Sequence, residues 1–391
     1  MKRLVCQKCL LILIGLVLLV PAAECPAWVG LELDVKANHV ADPYGTTGSE
    51  GSGSLWDFSG RVMYQHSSGP VNAEVHWLVQ ALRSNGDLSF VLEPSISPFR
   101  SLDLENVHSR SSRRVLVSEL DRLSLTWSNP ELSLTVGRQA VTWGEAFYFN
   151  IGDLFGTFPL TETNRRYKAG IDAAAVTVEL GTFSSLSLVT VPARKESDSI
   201  AAQLLFPLGP GTFSLTGGRV RENDKAGSGY TVDIAGTQLY GSLLMTRTDG
   251  SDSYSQIVGG FQRQVGPYTL LMGEIYRNGF GTGDPDDYPS LLLTEEYRSG
   301  GIFTLGRYGA ALQLSRQVSP LVTMTPTVFA NLSDSSTLFE LSGALSHSDF
   351  TDISAGLFIG LGKRPDDGVW QSEYGSMPTS IFIEIVHNIG G

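Results

Sequence analysis

From Trp28 onward the chain is a series of segments, each about ten residues long, in which apolar and polar residues alternate. Residues 31–38 and 123–128 are two clear cases. Alternation with a period of two places one set of side chains on each face of a β-strand. The segments run to about nine to thirteen residues, which is longer than most strands of soluble β-sandwiches. The pattern therefore predicts an all-β protein with long strands.

Short connections rich in Gly, Pro, Asn and Asp interleave with longer or more polar ones. The short ones lie at 67–70, 128–130, 181–182, 208–211, 265–267, 319–320 and 347–349, and the longer ones at 39–54, 84–114, 140–168, 193–198, 222–229, 248–253, 278–305, 331–335 and 362–378. A bacterial outer-membrane barrel shows this rhythm because tight turns form one rim and loops form the other. The pattern predicts a transmembrane antiparallel up-and-down β-barrel of about 16–18 strands, with both ends at the rim of tight turns.

A secreted soluble β-sandwich or propeller is the competing fold, because one face of its sheets is also wet. A propeller would show a repeat of about forty residues, and the chain has none. The barrel is the favoured fold. Alternation is poorer at 199–207 and 230–236, so one hairpin there is open to reassignment.

The head of the chain predicts export. A basic start precedes an apolar stretch at 10–20, which is too short to span a membrane, and small residues follow at 25–27. Cleavage after Ala27 would make residues 1–27 a signal peptide and start the mature chain at Trp28, without cysteine. Acylation of Cys25 is the alternative. The predicted location is the outer membrane of a Gram-negative bacterium.

Charge and composition exclude several classes of function. The net charge of −12 becomes about −14 when residues 1–27 are removed, because they carry three basic residues and one acidic residue. A nucleic-acid partner would need a basic face, so none is predicted. An acidic surplus in an outer-membrane protein is expected in solvated loops, with lipids and lipopolysaccharide as neighbours.

No catalytic, metal or cofactor site is predicted. The six histidines are scattered, and no H-E-x-x-H or G-x-S-x-G sequence occurs. Glu74 and His76 lie two residues apart on the polar face of one strand, so both are predicted to face the lumen. Two polar side chains in water explain them better than a metal or acid–base pair.

The segment 140–168 interrupts the alternation and is the most distinctive part of the chain. A loop with so many aromatic residues needs a surface to pack on, and the inner wall of the barrel is the nearest. The alternative is an aromatic girdle at the outer rim. The sequence predicts that this loop folds inward within a barrel spanning residues 28–391. It carries the aromatic residues Trp143, Phe147, Tyr148, Phe149, Phe155, Phe158 and Tyr167, along with Glu145, Asp153, Arg165 and Arg166.

The same segment resembles one that recurs in porin-like outer-membrane barrels, where a G-R-Q strand end leads to W-G and then N-x-x-D-L-F. The matching residues here are Gly137-Arg138-Gln139, Trp143-Gly144-Glu145, Phe149-Asn150 and Asp153-Leu154-Phe155. The resemblance implies passage of solutes but carries over no substrate. The candidates for a pore constriction are Arg138, Glu145, Asp153, Arg165 and Arg166, with both arginines at 165 and 166 facing Glu145 or Asp153.

The favoured function is passive passage of small hydrophilic solutes or ions through an outer-membrane channel without enzymatic activity. One alternative is a structural barrel whose extracellular loops bind a partner. Another is a lipid-modifying enzyme. Expected partners are outer-membrane lipids, the barrel assembly machinery and small solutes, and the protein could form a homo-oligomer.

Overall fold

The computed structural model describes residues 27–42, 51–85, 99–193, 197–248, 253–367 and 369–390. Nearly all of the predicted signal peptide, residues 1–26, lies outside this part of the chain. Among the described residues, no helix combines the length and the apolar character needed to cross a membrane.

Eighteen of the nineteen strands form one closed antiparallel sheet, in which each strand pairs with its neighbour and β1 pairs with β19. The predicted fold class is confirmed. The strands are β1 (Trp28–Asp42), β2 (Gly51–Ser68), β3 (Val71–Ser84), β4 (Glu105–Ser111), β5 (Arg114–Ser128), β6 (Leu132–Gln139), β7 (Ile171–Gly181), β8 (Ser184–Val191), β9 (Ser199–Leu208), β10 (Gly211–Val220), β11 (Asn223–Ile234), β12 (Thr237–Thr248), β13 (Tyr254–Gln264), β14 (Thr269–Asn278), β15 (Tyr308–Ser319), β16 (Val322–Asn331), β17 (Ser336–Ser348), β18 (Thr351–Leu361) and β19 (Thr379–Ile389).

The two faces of the strands differ in exposure as alternation requires. On β14, Ile275 points outward and is 68% exposed, whereas Glu274 and Tyr276 on either side point inward and are each 3% exposed. The outer face carries exposed apolar side chains such as Trp56 and Phe58, which stack on each other. A closed barrel satisfies every backbone group in its ladders, which is the condition for crossing lipid with strands.

The sequence placed one hairpin wrongly. The polar run 222–229 is not a long connection, because β10 and β11 join in a tight turn at Arg221, and residues 223–229 are strand. A second tight turn at Ala235 and Gly236, which the sequence pattern missed, restores the count of eighteen. Gly229, the last residue of this run, faces the half-buried carboxylate of Glu145, described below.

The one strand that is not among these eighteen, β4, closes a gap in the wall. Strand β6 ends early, at Gln139, and only the second half of β5, residues 123–128, pairs with it. The first half of β5, residues 114–119, pairs with β4. The segment 99–104, which precedes β4, lies between β5 and β7. The Asp172 N–H on β7 donates to the Phe99 carbonyl (3.0 Å), and the Leu120 N–H on β5 donates to the Leu104 carbonyl (3.1 Å). The wall is thus continuous although β6 is short.

The loop 279–307 contains the only α-helices among the described residues. It contains a single 3-10 turn (Pro285–Asp287) and two short helices, α1 (Tyr288–Leu292) and α2 (Glu295–Arg298). A second 3-10 turn (Tyr374–Ser376) lies in the connection between β18 and β19. Buried side chains from both loops, including Tyr288, Phe303 and Tyr374, fill one end of the lumen.

Candidate functional site: the lumen and its inward loop

The chain leaves the wall after β6 and contacts inward-facing residues around much of the barrel before it reaches β7. We call residues 141–149 the outbound arm and residues 163–168 the return arm. The outbound arm contacts strands β10, β12, β14, β15 and β16, and the return arm contacts β18, β19, β1, β2 and β3. The two arms therefore lie against different halves of the inner wall.

Aromatic packing fixes the outbound arm. Phe149 is fully buried and stacks on Tyr276 of β14, with ring centroids 4.9 Å apart and planes 10° from parallel. Tyr148 packs edge-on against Phe329 of β16 at 4.9 Å and donates its hydroxyl to Gln313 of β15. Phe147, by contrast, is 45% exposed. Burial of aromatic rings with favourable pair geometry offsets the entropy cost of ordering the arm.

Two carboxylates bind the outbound arm to the wall. Glu274 of β14 accepts the backbone N–H groups of Phe147 (2.6 Å), Tyr148 (3.1 Å) and Phe149 (2.8 Å). In the opposite sense, Glu145 of the arm accepts the hydroxyls of Ser214 on β10 and Ser242 on β12. Glu274 was not predicted as a site residue. Its inward parity on β14 was visible in the sequence, but its partner in the loop was not.

Asp153 lies between the arms and pairs with Lys168, Oδ2 to Nζ, at 2.5 Å. Burial raises the pKa of Asp153 to about 6, although the Lys168 ammonium opposes the change. Burial in turn lowers the pKa of Lys168, and Asp153 opposes that. Lys168 also donates to the Val141 carbonyl at the base of the outbound arm. This pair closes the loop on itself where the loop enters and leaves the wall.

The sequence predicts that the two arginines of the return arm face Glu145 or Asp153. In the structure both arginines make their contacts with other residues. The Arg165 guanidinium lies over the rings of Phe147 (4.7 Å to the centroid) and Tyr148 (5.0 Å) and donates to the Phe147 carbonyl at 2.7 Å. Arg166 donates to Asp352 of β18 at 2.6 Å, and Glu32 of β1 lies 3.9 Å away. Ser214 and Ser242 hold Glu145 and Lys168 holds Asp153, so the direct partners of the arginines are other residues; that the arginines face these carboxylates across the aqueous path stays a prediction.

Arg138 lies in the barrel wall. Its side chain is 1% exposed, and it pairs with Asp172 of β7, Nε to Oδ1, at 2.7 Å. Its other guanidinium nitrogens donate to the carbonyls of Leu120 and Leu102. It ties β6 and β7 to the segment 99–104 that closes the gap above β6. A guanidinium so enclosed cannot contact a solute in the lumen.

Glu74 and His76 face the lumen and lie 3.0 Å apart, Oε1 to Nε2. They line a cavity of about 660 Å³, together with Trp28, Arg122 and Tyr167. The His76 ring meets the Tyr167 ring edge-on at 6.0 Å, so the return arm forms one side of this cavity. Among the described residues, no group of three or more His, Cys, Asp or Glu side chains is placed to hold a metal ion.

The inner wall has two regions of opposite charge, which motif reasoning missed. A basic region contains Arg61, Arg100 and Arg122, which surround Asp121 of β5; the Arg100 Nη2 and Asp121 Oδ1 atoms are 3.1 Å apart. An acidic region contains inward-facing carboxylates of β1, β2, β17 and β19. They are Asp34, Asp57, Glu340 and Glu384. The inward parity of the four acidic residues was readable in the sequence, but their grouping follows from strand neighbours.

The return arm crosses the border between these regions. Asn164 donates to Glu384 of β19 at 3.1 Å on the acidic side. Tyr167 lies under the Arg61 guanidinium, 4.3 Å from ring centroid to Cζ, on the basic side. Opposed charges across a narrow aqueous space create a local field that orients polar solutes and sorts ions.

No protein-family model and no curated protein matches this sequence. Solved structures match over nearly its whole length. Acinetobacter baumannii OccAB4 is 10% identical, with a TM-score of 0.59, over 95% of this chain and 100% of that chain. Pseudomonas aeruginosa OccK2 (OpdF) in complex with glucuronate is 9% identical, with a TM-score of 0.55, over 93% and 98%. A BenF-like porin from Pseudomonas fluorescens Pf-5 is 9% identical, with a TM-score of 0.54, over 93% and 99%. The likeness shows that this chain has the fold of these barrels.

Proposed function

We propose that the protein is an outer-membrane channel for passive passage of small hydrophilic solutes. The observation that carries the proposal is the contrast within one closed barrel. Its outer face is apolar, whereas its inner wall is polar and charged and is narrowed by an ordered loop. Such a lumen replaces lipid by a wet path, and the loop sets the width of that path.

Conductance of the purified, refolded protein in planar bilayers tests this proposal. We expect discrete single-channel steps with a reproducible conductance. Protein refolded in the same detergent but boiled before addition is the control. Intact, heat-modifiable barrel that gives no steps would contradict the channel. It would favour the alternative of a structural barrel, which the densely packed loops inside the lumen also support.

Among hydrophilic solutes, we propose that small carboxylates are preferred. The basic region presents Arg122 to the large cavity beside His76 and Tyr167. The structure of OccK2 (OpdF), which has the same fold, contains glucuronate. The positive charge of a guanidinium beside the cavity attracts a carboxylate, and an uncharged sugar gains no such attraction.

Solute block separates these classes. Glucuronate in the bath should reduce the ionic current more than glucose at equal concentration. Arg122→Gln should remove most of the difference, because it retains hydrogen bonding without the charge. Equal block by both sugars in the parent protein would show that the channel passes hydrophilic solutes without this preference.

The outer membrane as location and the cleaved signal peptide belong to the same proposal. The mature protein should begin at Trp28 or within a few residues of it and should sediment with outer membranes. It should also migrate differently on gels before and after boiling. An acylated Cys25 in the intact mass would replace simple cleavage by lipidation. Contact with lipopolysaccharide, insertion by the assembly machinery and formation of a homo-oligomer stay predictions.

A further inference from the structure

We propose that two carboxylates lock the outbound arm in the lumen. One is a side chain of the wall that binds backbone amides of the loop, and the other is a side chain of the loop that binds hydroxyls of the wall. The carboxylate lock consists of Glu274 with its three loop amides and Glu145 with its two serines. Glu274 and Glu145 are thereby positioning residues, which fix the width of the channel without contacting solute. The effect on width rests on the proposed channel function, whereas the lock itself does not.

The wall half of the lock is a carboxylate that caps a nest of backbone amides. The Glu274 side chain is buried and accepts the N–H groups of three consecutive residues, 147–149, and the Tyr240 hydroxyl at 2.7 Å. The outbound arm has no strand or helix partner for these amides. A buried amide without a partner is costly, and a bond to a carboxylate is stronger than one to a neutral acceptor.

The loop half of the lock is a slot in the sheet. The Glu145 carboxylate lies over Gly229 of β11 and accepts hydroxyls from Ser214 on β10 and Ser242 on β12. A Cβ added at Gly229 would lie 2.4 Å from each carboxylate oxygen, so the slot exists only because this position is glycine. The slot thus consists of a glycine on β11 between serines on the two neighbouring strands.

The lock also reaches the return arm. The Phe147 residue whose amide binds Glu274 accepts a hydrogen bond from Arg165 through its carbonyl and stacks its ring under the guanidinium. Fixing the backbone of Phe147 therefore fixes the position of Arg165. Release of the lock should displace a charge on the opposite arm as well as widen the lumen.

The competing explanation is that aromatic packing alone holds the arm and that the two carboxylates do not contribute to its position. The stacking of Phe149 on Tyr276 and the contact of Tyr148 with Phe329 would then keep the arm in place without Glu274. The two explanations differ in the exchange of the amides of 147–149. Packing alone leaves those amides without an acceptor, whereas the lock protects them.

Hydrogen–deuterium exchange of the refolded full-length barrel tests the lock directly. In the parent, a peptide covering 147–149 should exchange slowly for a segment without secondary structure. Glu274→Ala should speed this exchange roughly tenfold or more, and Glu274→Gln should have an intermediate effect because it keeps one oxygen acceptor. A parent-like rate in Glu274→Ala would overturn the proposal. Heat-modifiable migration establishes that each variant is folded.

The glycine slot gives an independent test with a matched control. Gly229→Ala should expel Glu145, speed exchange across 143–149 and raise single-channel conductance and open-channel noise. Gly241→Ala on the neighbouring strand β12 should match the parent, since its Cβ would meet Val258 O at an ordinary 3.5 Å. Equal behaviour of the two alanine variants would overturn the slot. If the parent does not conduct, the channel function fails, and exchange still decides whether the lock exists.

Discussion

The outbound and return arms of one loop are held in the lumen by different physics. The outbound arm is anchored by stacked rings and by Glu274, which is 3% exposed. In the return arm, the Arg166–Asp352 pair is open to water, with side chains 41% and 37% exposed, whereas the Lys168–Asp153 pair at its end is buried. Exposed ion pairs contribute little to stability, whereas buried packing contributes much. We infer that the outbound arm sets the shape of the lumen and that the return arm sets its charge.

Removing the outbound arm abolishes its contribution to the shape of the lumen and should give the largest effect. Deletion of 143–163 removes the outbound arm and the turn that follows, and it leaves the charged end of the return arm. We expect single-channel conductance to rise at least about twofold, because the narrowest aqueous path controls the current. Deletion of 285–292, in the separate helical loop, should raise it less. If neither deletion alters conductance, the narrowest point lies elsewhere.

The buried packing of the outbound arm predicts the largest change in stability from a single substitution. Phe149→Ala removes a ring that contacts both Tyr276 and Phe303, and it should cost about 3–5 kcal/mol. The matched control is Phe147→Ala, whose half-exposed ring contributes mainly a cation–π contact with Arg165 worth about 0.5–1 kcal/mol. The thermal midpoint of the heat-modifiable band measures both. Equal midpoints in the two variants would contradict the assignment of shape to the buried rings.

The barrel could be predicted from the sequence because each strand reports its own two faces. Residues 31–38 alternate whatever their neighbours are, so period and turn chemistry sufficed for fold class and strand number. The error at 222–229 has a physical cause. Gly229 of β11 and the residues Ser214 and Ser242 of its neighbouring strands receive Glu145 from a distant loop, and local pattern cannot show such a partner.

The contacts of the site could be predicted from the sequence less completely than the fold, for the same reason. The aromatic content of 140–168 indicated packing, but the partners of Arg165 and Arg166 depend on which strands face each other across the lumen. Arg138 belonged to a recognisable motif, and yet it lies in the wall, because the short β6 leaves a gap that its guanidinium helps to close. Pairing across a barrel is set by closure, which no single segment encodes.

The charge of the return arm predicts a change in ion selectivity. Changing Arg165 and Arg166 together to Ala removes two positive charges and leaves Asp352 without the cation that pairs with it. We expect the reversal potential in a salt gradient to shift toward cation selectivity, with little change in thermal midpoint. Arg166→Ala alone should give most of the shift, because aromatic rings already cover Arg165. Unchanged selectivity in the double variant would place these charges outside the ion path.

A pH titration of the thermal midpoint tests whether a buried carboxyl also holds loops outside the outbound arm. We expect this effect to be the smallest. Glu373, between β18 and β19, accepts the Leu305 N–H at 3.2 Å and the Asn331 amide at 2.7 Å, and so ties the loop 279–307 to the end of β16. Burial, aided by the nearby Asp334 carboxylate, raises the pKa of Glu373 from 4.5 to about 8, although the hydrogen bonds from Leu305 and Asn331 oppose the change.

The sign of the pH effect follows from proton linkage. The folded protein holds the Glu373 proton more tightly than the unfolded chain, so this contribution to stability is complete below about pH 4.5 and is lost as the pH rises through about 8. The thermal midpoint should fall by a few degrees between pH 5 and pH 8, and Glu373→Gln should flatten this slope because its amide does not titrate. The Phe149→Ala variant should keep the slope of the parent, since Glu373 does not contact the outbound arm. A slope that survives in Glu373→Gln would assign the pH dependence to another buried carboxyl, with Asp153 as the next to test.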